Sequence, residues 1–578
     1  MPDGAIFEAR IRLAHQTVLQ NNCAPHNPEQ CVRWGPLLYD PALARERHFL
    51  VIGATRSGKT SLLRLLLQSL HRTDNTRCIV YDFKTEFIPC LNPSNDRPIT
   101  DLYHILNPYD ARGSAWDIAK DVDENSSDTL AKILIPSGRD KRDEYFTPTL
   151  RSILSAIVRA LIEQSGERWT FLDLMLALQS DNIRAVLATT AEGRRLYNAH
   201  CVGNGQTQQN LISMLDQCSQ KYLRIAAAWS KATQTVSLRQ WALHDSKGIL
   251  LGHNSRGSAS IKPVILAILH FLFYELTDST DAKPYHTFMV LDEFRRLGKL
   301  PQIIDVVQAA ISQKLSLVLG VHDVESIKGV YGQEALGILG PCDFKAILRN
   351  TNPDTLAWAS HIIGQQDVTI EQKSTSESES LMHAEEKDQH RRRTTGTGSA
   401  KNRHHVSRPA VPAEAIMQLP PASPDSGISG YFIGPGHPPY LGTLPGDLFS
   451  TFENNEDEGN SVDNYYLWRH RSVDDNQVEK AFVRTPPENF RPPEDSFSTL
   501  AALGFQPDHT PHTKPFPRKF ADRAEPTEHS ADDLTESTAT PPPAANKSPS
   551  TKPKKNHDLH KMVWDDELET FRPRSEDD

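Results

Sequence analysis

The sequence predicts an α/β fold, a largely parallel sheet with helices on its faces, split by an all-helical stretch. Three observations carry this. From His48 onward short apolar runs alternate with helical segments. A glycine-containing loop joins the first run to a leucine-rich helix, and a later apolar run ends in two acids. Between them, from Thr147, apolar residues recur at helical spacing without a convincing strand.

In chain order, residues 1–35 form a polar lead-in with a helical pattern at 6–19. Residues 48–52 read as the first strand, 60–70 as a helix and 77–82 as the next strand, within a first sheet segment at 36–146. Thr147-Pro148 reads as an N-cap followed by proline at the first helical position. Leu150, Ile153, Leu154, Ile157, Val158 and Leu161 then share a helix face, and Gly166 ends the run. Thr170 with Asp173 has the form of a capping box, in which each side chain satisfies the other residue's N–H. Residues 147–235 are expected as an all-α insertion. Strands return at 248–252, 287–291, 316–321 and 344–348, with a helix over 263–276, giving a second sheet segment at 236–370. Residues 371–408 are poor in apolar side chains and read as a flexible charged insertion, with a return to the core at 409–450. Residues 451–578 contain 15 prolines and few apolar clusters, a composition expected of a disordered acidic tail.

The formal charge is −10, and residues 451–578, with 26 acidic and 16 basic side chains, carry all of it. The other 450 residues sum to zero, which excludes a globally basic nucleic-acid binder. A DNA channel would have to be a local feature, such as a ring lumen. The seven cysteines are scattered without a C-x-x-C pair, as in a reducing compartment. Cys23, His26 and Cys31 lack a fourth ligand for zinc and read as loop residues. No secretory signal is visible, and the longest apolar run, 264–276, is shorter than the roughly 20 residues of a spanning helix. The expected location is cytoplasmic.

Gly53-Ala54-Thr55-Arg56-Ser57-Gly58-Lys59-Thr60 matches G-x-x-x-x-G-K-[ST] directly after a strand and before a helix. Such a loop, Gly53 to Ser61, wraps phosphates with inward N–H groups at a helix N-terminus. Lys59 would neutralise β/γ-phosphate charge of ATP, and the Thr60 hydroxyl would coordinate Mg²⁺. In residues 287–293, a buried strand ends in Asp292, expected to hold the metal, and Glu293, expected to polarise the attacking water. A third strand ends in Asp82-Phe83-Lys84-Thr85-Glu86; spacing alone leaves a solvated loop and a functional one equally open.

Together these segments resemble the TraD/TraG-type coupling proteins of type IV secretion systems. Asp82 to Glu86 is similar to the family's D-x-K-G-E, and Leu106-Asn-Pro-Tyr-Asp-Ala-Arg112 to its L-N-P-x-D-x-R. Ser237-Leu-Arg-Gln-Trp241 resembles S-I-R-x-W, and Leu291-Asp-Glu-Phe-Arg-Arg-Leu-Gly-Lys-Leu-Pro301 the long Walker B motif. Residues 316–319, Tyr331-Gly332, Gly430-Tyr431 and Gly434-Pro-Gly436 continue the match in order over 36–450. The resemblance implies a RecA-like P-loop ATPase core with an all-α domain at this place. It also implies a homohexamer that moves DNA, or recruits DNA–protein complexes, to a conjugation channel, with relaxosome and channel proteins as partners.

Two departures stand out. The family usually begins with two transmembrane helices; this sequence shows none, so attachment at the inner membrane is expected through a partner. Where the family places a γ-phosphate-sensing Gln, this chain has His322, whose neutral ring offers one donor and one acceptor with different geometry. Arg349 aligns with a family arginine, and an arginine finger to a neighbouring subunit and a surface ion pair both remain open. The segment Met562-Val-Trp-Asp-Asp-Glu-Leu-Glu-Thr-Phe571 interleaves apolar and acidic residues, loosely like the relaxosome-engaging ends of TraD-like proteins. Two other readings stay in play: a soluble HerA/FtsK-like translocase, and a slow-hydrolysing recruitment platform.

Overall fold

A computed structural model describes residues 30–84, 86–91, 97–110, 112–137, 141–203, 205–252, 258–277, 283–300, 302–381, 393–446, 562–565 and 570–573. The helix expected at 6–19, Cys23, His26 and most of the acidic tail lie outside the described residues. Strands Met562–Asp565 and Thr570–Pro573 pair antiparallel in a separate unit.

The described residues open with a hairpin, β1 (Val32–Trp34) and β2 (Leu37–Tyr39), then enter the sheet at β3 (Phe49–Ile52). Helix α1 (Lys59–Leu70) leads to β4 (Thr76–Asp82) and β5 (Tyr103–Ile105). The short β6 (Ala115–Trp116) and β7 (Thr235–Val236) bracket the helical stretch, and β8 (Gly248–Gly252) resumes the sheet. Next come β9 (His286–Leu291), β10 (Leu315–Val321) and β11 (Phe344–Leu348). The strands β12 (Gln365–Leu381) and β13 (Arg393–Pro409) precede β14 (Ile428–Ile433) and β15 (Tyr440–Leu444).

The nine-stranded sheet runs β15-β14-β11-β3-β10-β9-β4-β8-β5. From β11 to β5 all neighbours are parallel, and β14 and β15 add an antiparallel edge. A parallel sheet covered on both faces needs apolar residues at every position, and β3, β9 and β10 are buried throughout. Successive side chains alternate between two cores. Phe49, Val51, Phe288, Val290 and Phe344 pack with α1 and with Trp34 and Tyr39 of the hairpin. Leu50, Ile52, Met289, Leu291 and Leu319 face the other core, shared with helix Ser258–Thr277 and the helical stretch. The rings of Phe49 and Phe344 stack 4.4 Å apart at 3°. Truncating a phenylalanine so buried costs about 3–5 kcal/mol.

Between β6 and β7 every described element is helical, so the helical stretch begins before residue 147. Its two stems are pinned together: Ala115 N–H donates to Gln234 C=O (2.9 Å) and Asp117 N–H to Val236 C=O (2.8 Å). Buried Asp121 locks the same junction, accepting from Trp116 Nε1, Ser237 Oγ and the N–H groups of Leu238 and Arg239. Ser237 of the S-L-R-Q-W segment thus serves as an N-cap at a domain stem. The Thr170–Asp173 capping box forms as the spacing indicated.

Three expectations change. Helix α2 (Lys141–Ser165) starts at Lys141 and runs through Pro148 rather than beginning there. One lost backbone bond there, about 3 kcal/mol, is offset downstream by the buried face of Ile153, Leu154, Ile157 and Leu161. Helix α3 (Ser258–Thr277) likewise starts ahead of Pro263 and is 20 residues long. By length and composition it could cross a bilayer, but Val264, Ile268, Leu269, Leu272 and Phe273 are buried in the fold, as in a core helix. The described parts of the charged insertion, 371–381 and 393–408, take the form of a ladder, with β12 paired to β13 from Gln365↔Pro409 to Leu381↔Arg393. A two-stranded ladder satisfies backbone groups mutually and needs little apolar content, which is why composition did not reveal it.

Candidate nucleotide site

The C-terminal ends of β3, β4, β9, β10 and β11 share one sheet edge, where open α/β sheets bind ligands. The P-loop leaves β3 between β10 and β11 and is held by both. Gly53 N–H donates to Val321 C=O (3.3 Å), and Ala54 N–H to Arg349 C=O (2.8 Å). Gly58, at φ +94°, turns the loop into α1. A side chain there would meet Ile428 and Ala422, so β14 and the segment before it lie against the loop. Ala422 N–H also donates to Arg56 C=O (3.1 Å).

Residues 56–61 and Ala422 line a cleft of about 230 Å³. The first N–H groups of α1 have no carbonyl one turn earlier and carry the positive end of the helix dipole. The buried Ser57 hydroxyl lacks a hydrogen-bond partner among the described residues. Lys59 is buried, with Nζ donating to Gly53 C=O (2.7 Å) and Ala54 C=O (3.2 Å). Burial lowers its pKa, opposed by the charges of Glu293 and Asp292. Orphan donors, an ammonium and a concave glycine turn fit a polyphosphate.

Asp292 and Glu293 follow β9, separated from the P-loop strand by β10. The Thr60 hydroxyl donates to Asp292 Oδ2 at 3.1 Å, so the two expected metal ligands already converge. Burial raises the Asp292 pKa, opposed by Lys84. Gly320 of β10 makes room: a Cβ there would lie 2.7 Å from Asp292 Oδ1. Glu293 adopts a left-handed backbone, φ 52° and ψ 47°, which costs a non-glycine residue about 1–2 kcal/mol. Such strain concentrates at functional sites.

His322, at the end of β10, reaches the P-loop. Its Nε2 accepts from Thr55 N–H (3.1 Å) and lies 3.0 Å from Thr55 Oγ1, while Nδ1 lies 3.0 Å from Asp323 Oδ2. An accepting Nε2 requires the proton on Nδ1, donated to Asp323. Arg349 meets the P-loop through its carbonyl, and its side chain makes no ion pair among the described residues. Gly53 to Ser61, Asp292, Glu293 and His322 are therefore one constellation, with Arg349 beside it.

Ala422, Ile428 and Lys84 were missed as site residues. The first two come from far along the chain and carry no motif of their own. Lys84 stood in the Asp82–Glu86 segment, which spacing could not assign.

Comparison with known families decides the kinship. The model of the type IV secretion-system coupling protein DNA-binding domain matches residues 40–430. The chain belongs to this family. The coupling protein TraD of Escherichia coli K12 is 22% identical over 343 residues, covering 57% of this chain. The chain spans 45% of that relative's length. The unbound structure of the conjugative coupling protein TrwB superimposes with a TM-score of 0.54 at 18% identity, over 72% of this chain and 88% of TrwB. The structure of TrwB in complex with ADP and Mg²⁺ gives 0.53 at 18%, over 72% and 89%. The shared fold is the RecA-like P-loop core with its all-α domain.

Proposed function

We propose that this coupling-protein family member is an ATP-driven motor, hexameric in its working form, that recruits and translocates DNA or DNA–protein complexes to a conjugation channel. The convergence of Lys59, Thr60, Asp292 and Glu293 at one sheet edge carries the reading. Family membership and the nucleotide bound by TrwB support it. Mg²⁺ held by Thr60 and Asp292 would supply charge neutralisation for the β- and γ-phosphates. Lys59 and the α1 N–H groups hold phosphate oxygens, and the Glu293 carboxylate orients a water and receives its proton. Relaxosome and channel proteins are the partners this role requires, with the protein in the cytoplasm or peripheral at the inner membrane.

The test is steady-state ATP hydrolysis and nucleotide binding, with and without single-stranded DNA. Lys59→Ala is expected to lose binding, because the buried ammonium meets the phosphates. Glu293→Gln is expected to keep binding and lose turnover. Normal hydrolysis by Glu293→Gln would remove the assignment, and turnover insensitive to DNA and to protein concentration would favour a recruitment platform over a motor.

A further inference from the structure

Asp82, Lys84 and Glu86 do not line the P-loop cleft, yet Lys84 reaches the acids of the site. Because β4 pairs directly with β9, in register Tyr81↔Leu291, the loop after Asp82 lies beside Asp292 and Glu293. Buried Asp82 builds that loop: its carboxylate accepts from Glu86 N–H (3.0 Å) and Phe87 N–H (2.9 Å). Arg64 of α1 ties the loop to the P-loop helix by donating to Glu86 C=O (2.6 Å). On this frame Lys84 extends its ammonium to 2.9 Å from Glu293 Oε1.

The pair is lopsided. The Lys84 side chain is 38% exposed and that of Glu293 17%. A pair this open adds little to stability, and Asp82 and Arg64 already anchor the loop. What the ammonium does change is the carboxylate. Glu293 must accept a hydrogen bond from water to act as a base, and Lys84 occupies one of its oxygens while neutralising its charge. While it lasts, such a contact would hold the base back. It is also accessible: Lys84 is at the surface on a long flexible stem, and a competing anion can draw its ammonium away.

We propose that Lys84 is a positioning residue that restrains Glu293, and that a backbone phosphate of bound DNA releases it, linking DNA contact to hydrolysis. The inference rests on the motor reading above and adds the residue that conveys DNA occupancy to the base. Nucleic-acid phosphate is the releasing group because a compact exposed ammonium is a phosphate binder, and such contacts dominate nucleic-acid affinity.

The experiment measures hydrolysis by the full chain with and without single-stranded DNA, for wild type, Lys84→Met, Lys84→Arg and Glu293→Gln. ATP-analogue affinity serves as the check on folding. A positioned base contributes roughly 10²–10⁴-fold, so Lys84→Met is expected to raise the DNA-free rate roughly tenfold or more and to abolish most DNA stimulation. Lys84→Arg keeps an ion pair and should keep stimulation, and analogue affinity should stay at the wild-type value. With Glu293→Gln inactive, a Lys84→Met rate at or below wild type without DNA, or unchanged stimulation by DNA, overturns the inference alone. An active Glu293→Gln instead overturns the nucleotide-site reading beneath it.

Discussion

Replacing Gly58 with alanine perturbs the turn that aims the P-loop N–H groups, and its cost divides into two parts. At φ +94° a side chain costs about 1–2 kcal/mol whatever the space around it. The added Cβ would also lie 2.9 Å from Ile428 Cγ1 and Cγ2 and 3.1 Å from Ala422 Cβ. Pressing a methyl into packed surroundings costs about 1–3 kcal/mol more. Every 1.4 kcal/mol is about tenfold in affinity, so binding of an ATP analogue should fall on the order of 10²-fold if the loop shifts to accommodate the group. Adding Ile428→Ala removes both γ carbons but leaves the backbone cost. The double variant should therefore recover part of the loss, with a coupling of about 1 kcal/mol between the two sites. Fluorescence titration of the analogue and thermal unfolding measure both quantities on the single and double variants. Wild-type affinity and melting temperature in Gly58→Ala, or strictly additive effects in the double variant, would refute the geometry.

Other expectations follow from individual contacts. His322→Gln keeps an acceptor for Thr55 N–H and should retain or raise DNA-stimulated hydrolysis, whereas His322→Ala should uncouple hydrolysis from DNA; equal stimulation in both variants would exclude the role. Burial pushes the Asp82 pKa up from 3.8 to about 6, against two backbone hydrogen bonds. With the folded value above the unfolded one, its contribution is full below pH 3.8 and is lost as pH rises through about 6. That is about 3 kcal/mol at 1.36 kcal/mol per unit, so Asp82→Asn should gain stability relative to wild type between pH 4 and pH 7 in urea titrations. Removing residues 451–578, which carry the whole net charge, should leave hydrolysis intact and lower recovery of relaxosome proteins in a pull-down; equal recovery would make the segment a spacer.

The parts of the site legible in the sequence are those set by neighbours along the chain. A phosphate loop needs Gly58 at positive φ, Lys59 and Thr60 at the start of a helix, and a strand before it, all within a few residues. The acids after β9 and the capping box at Thr170 are local in the same sense. Helix starts were harder, because a proline signals a boundary by its own local cost. At Pro148 and Pro263 packing on the downstream faces outweighed that cost.

Sequence by itself determined the α/β class, the six strands from β3 and β4 through β8 to β11, the P-loop and its acidic partners, since apolar periodicity and backbone chemistry act over short spans. Tertiary structure alone decided which ends became neighbours. It placed β10 between β3 and β9, bringing His322 to Thr55, and set β4 beside β9, bringing Lys84 to Glu293. It also returned Ala422 and Ile428 to the turn at Gly58. Strand order and register arise from burial of both sheet faces at once, a condition on residues far apart in the chain that no local spacing encodes.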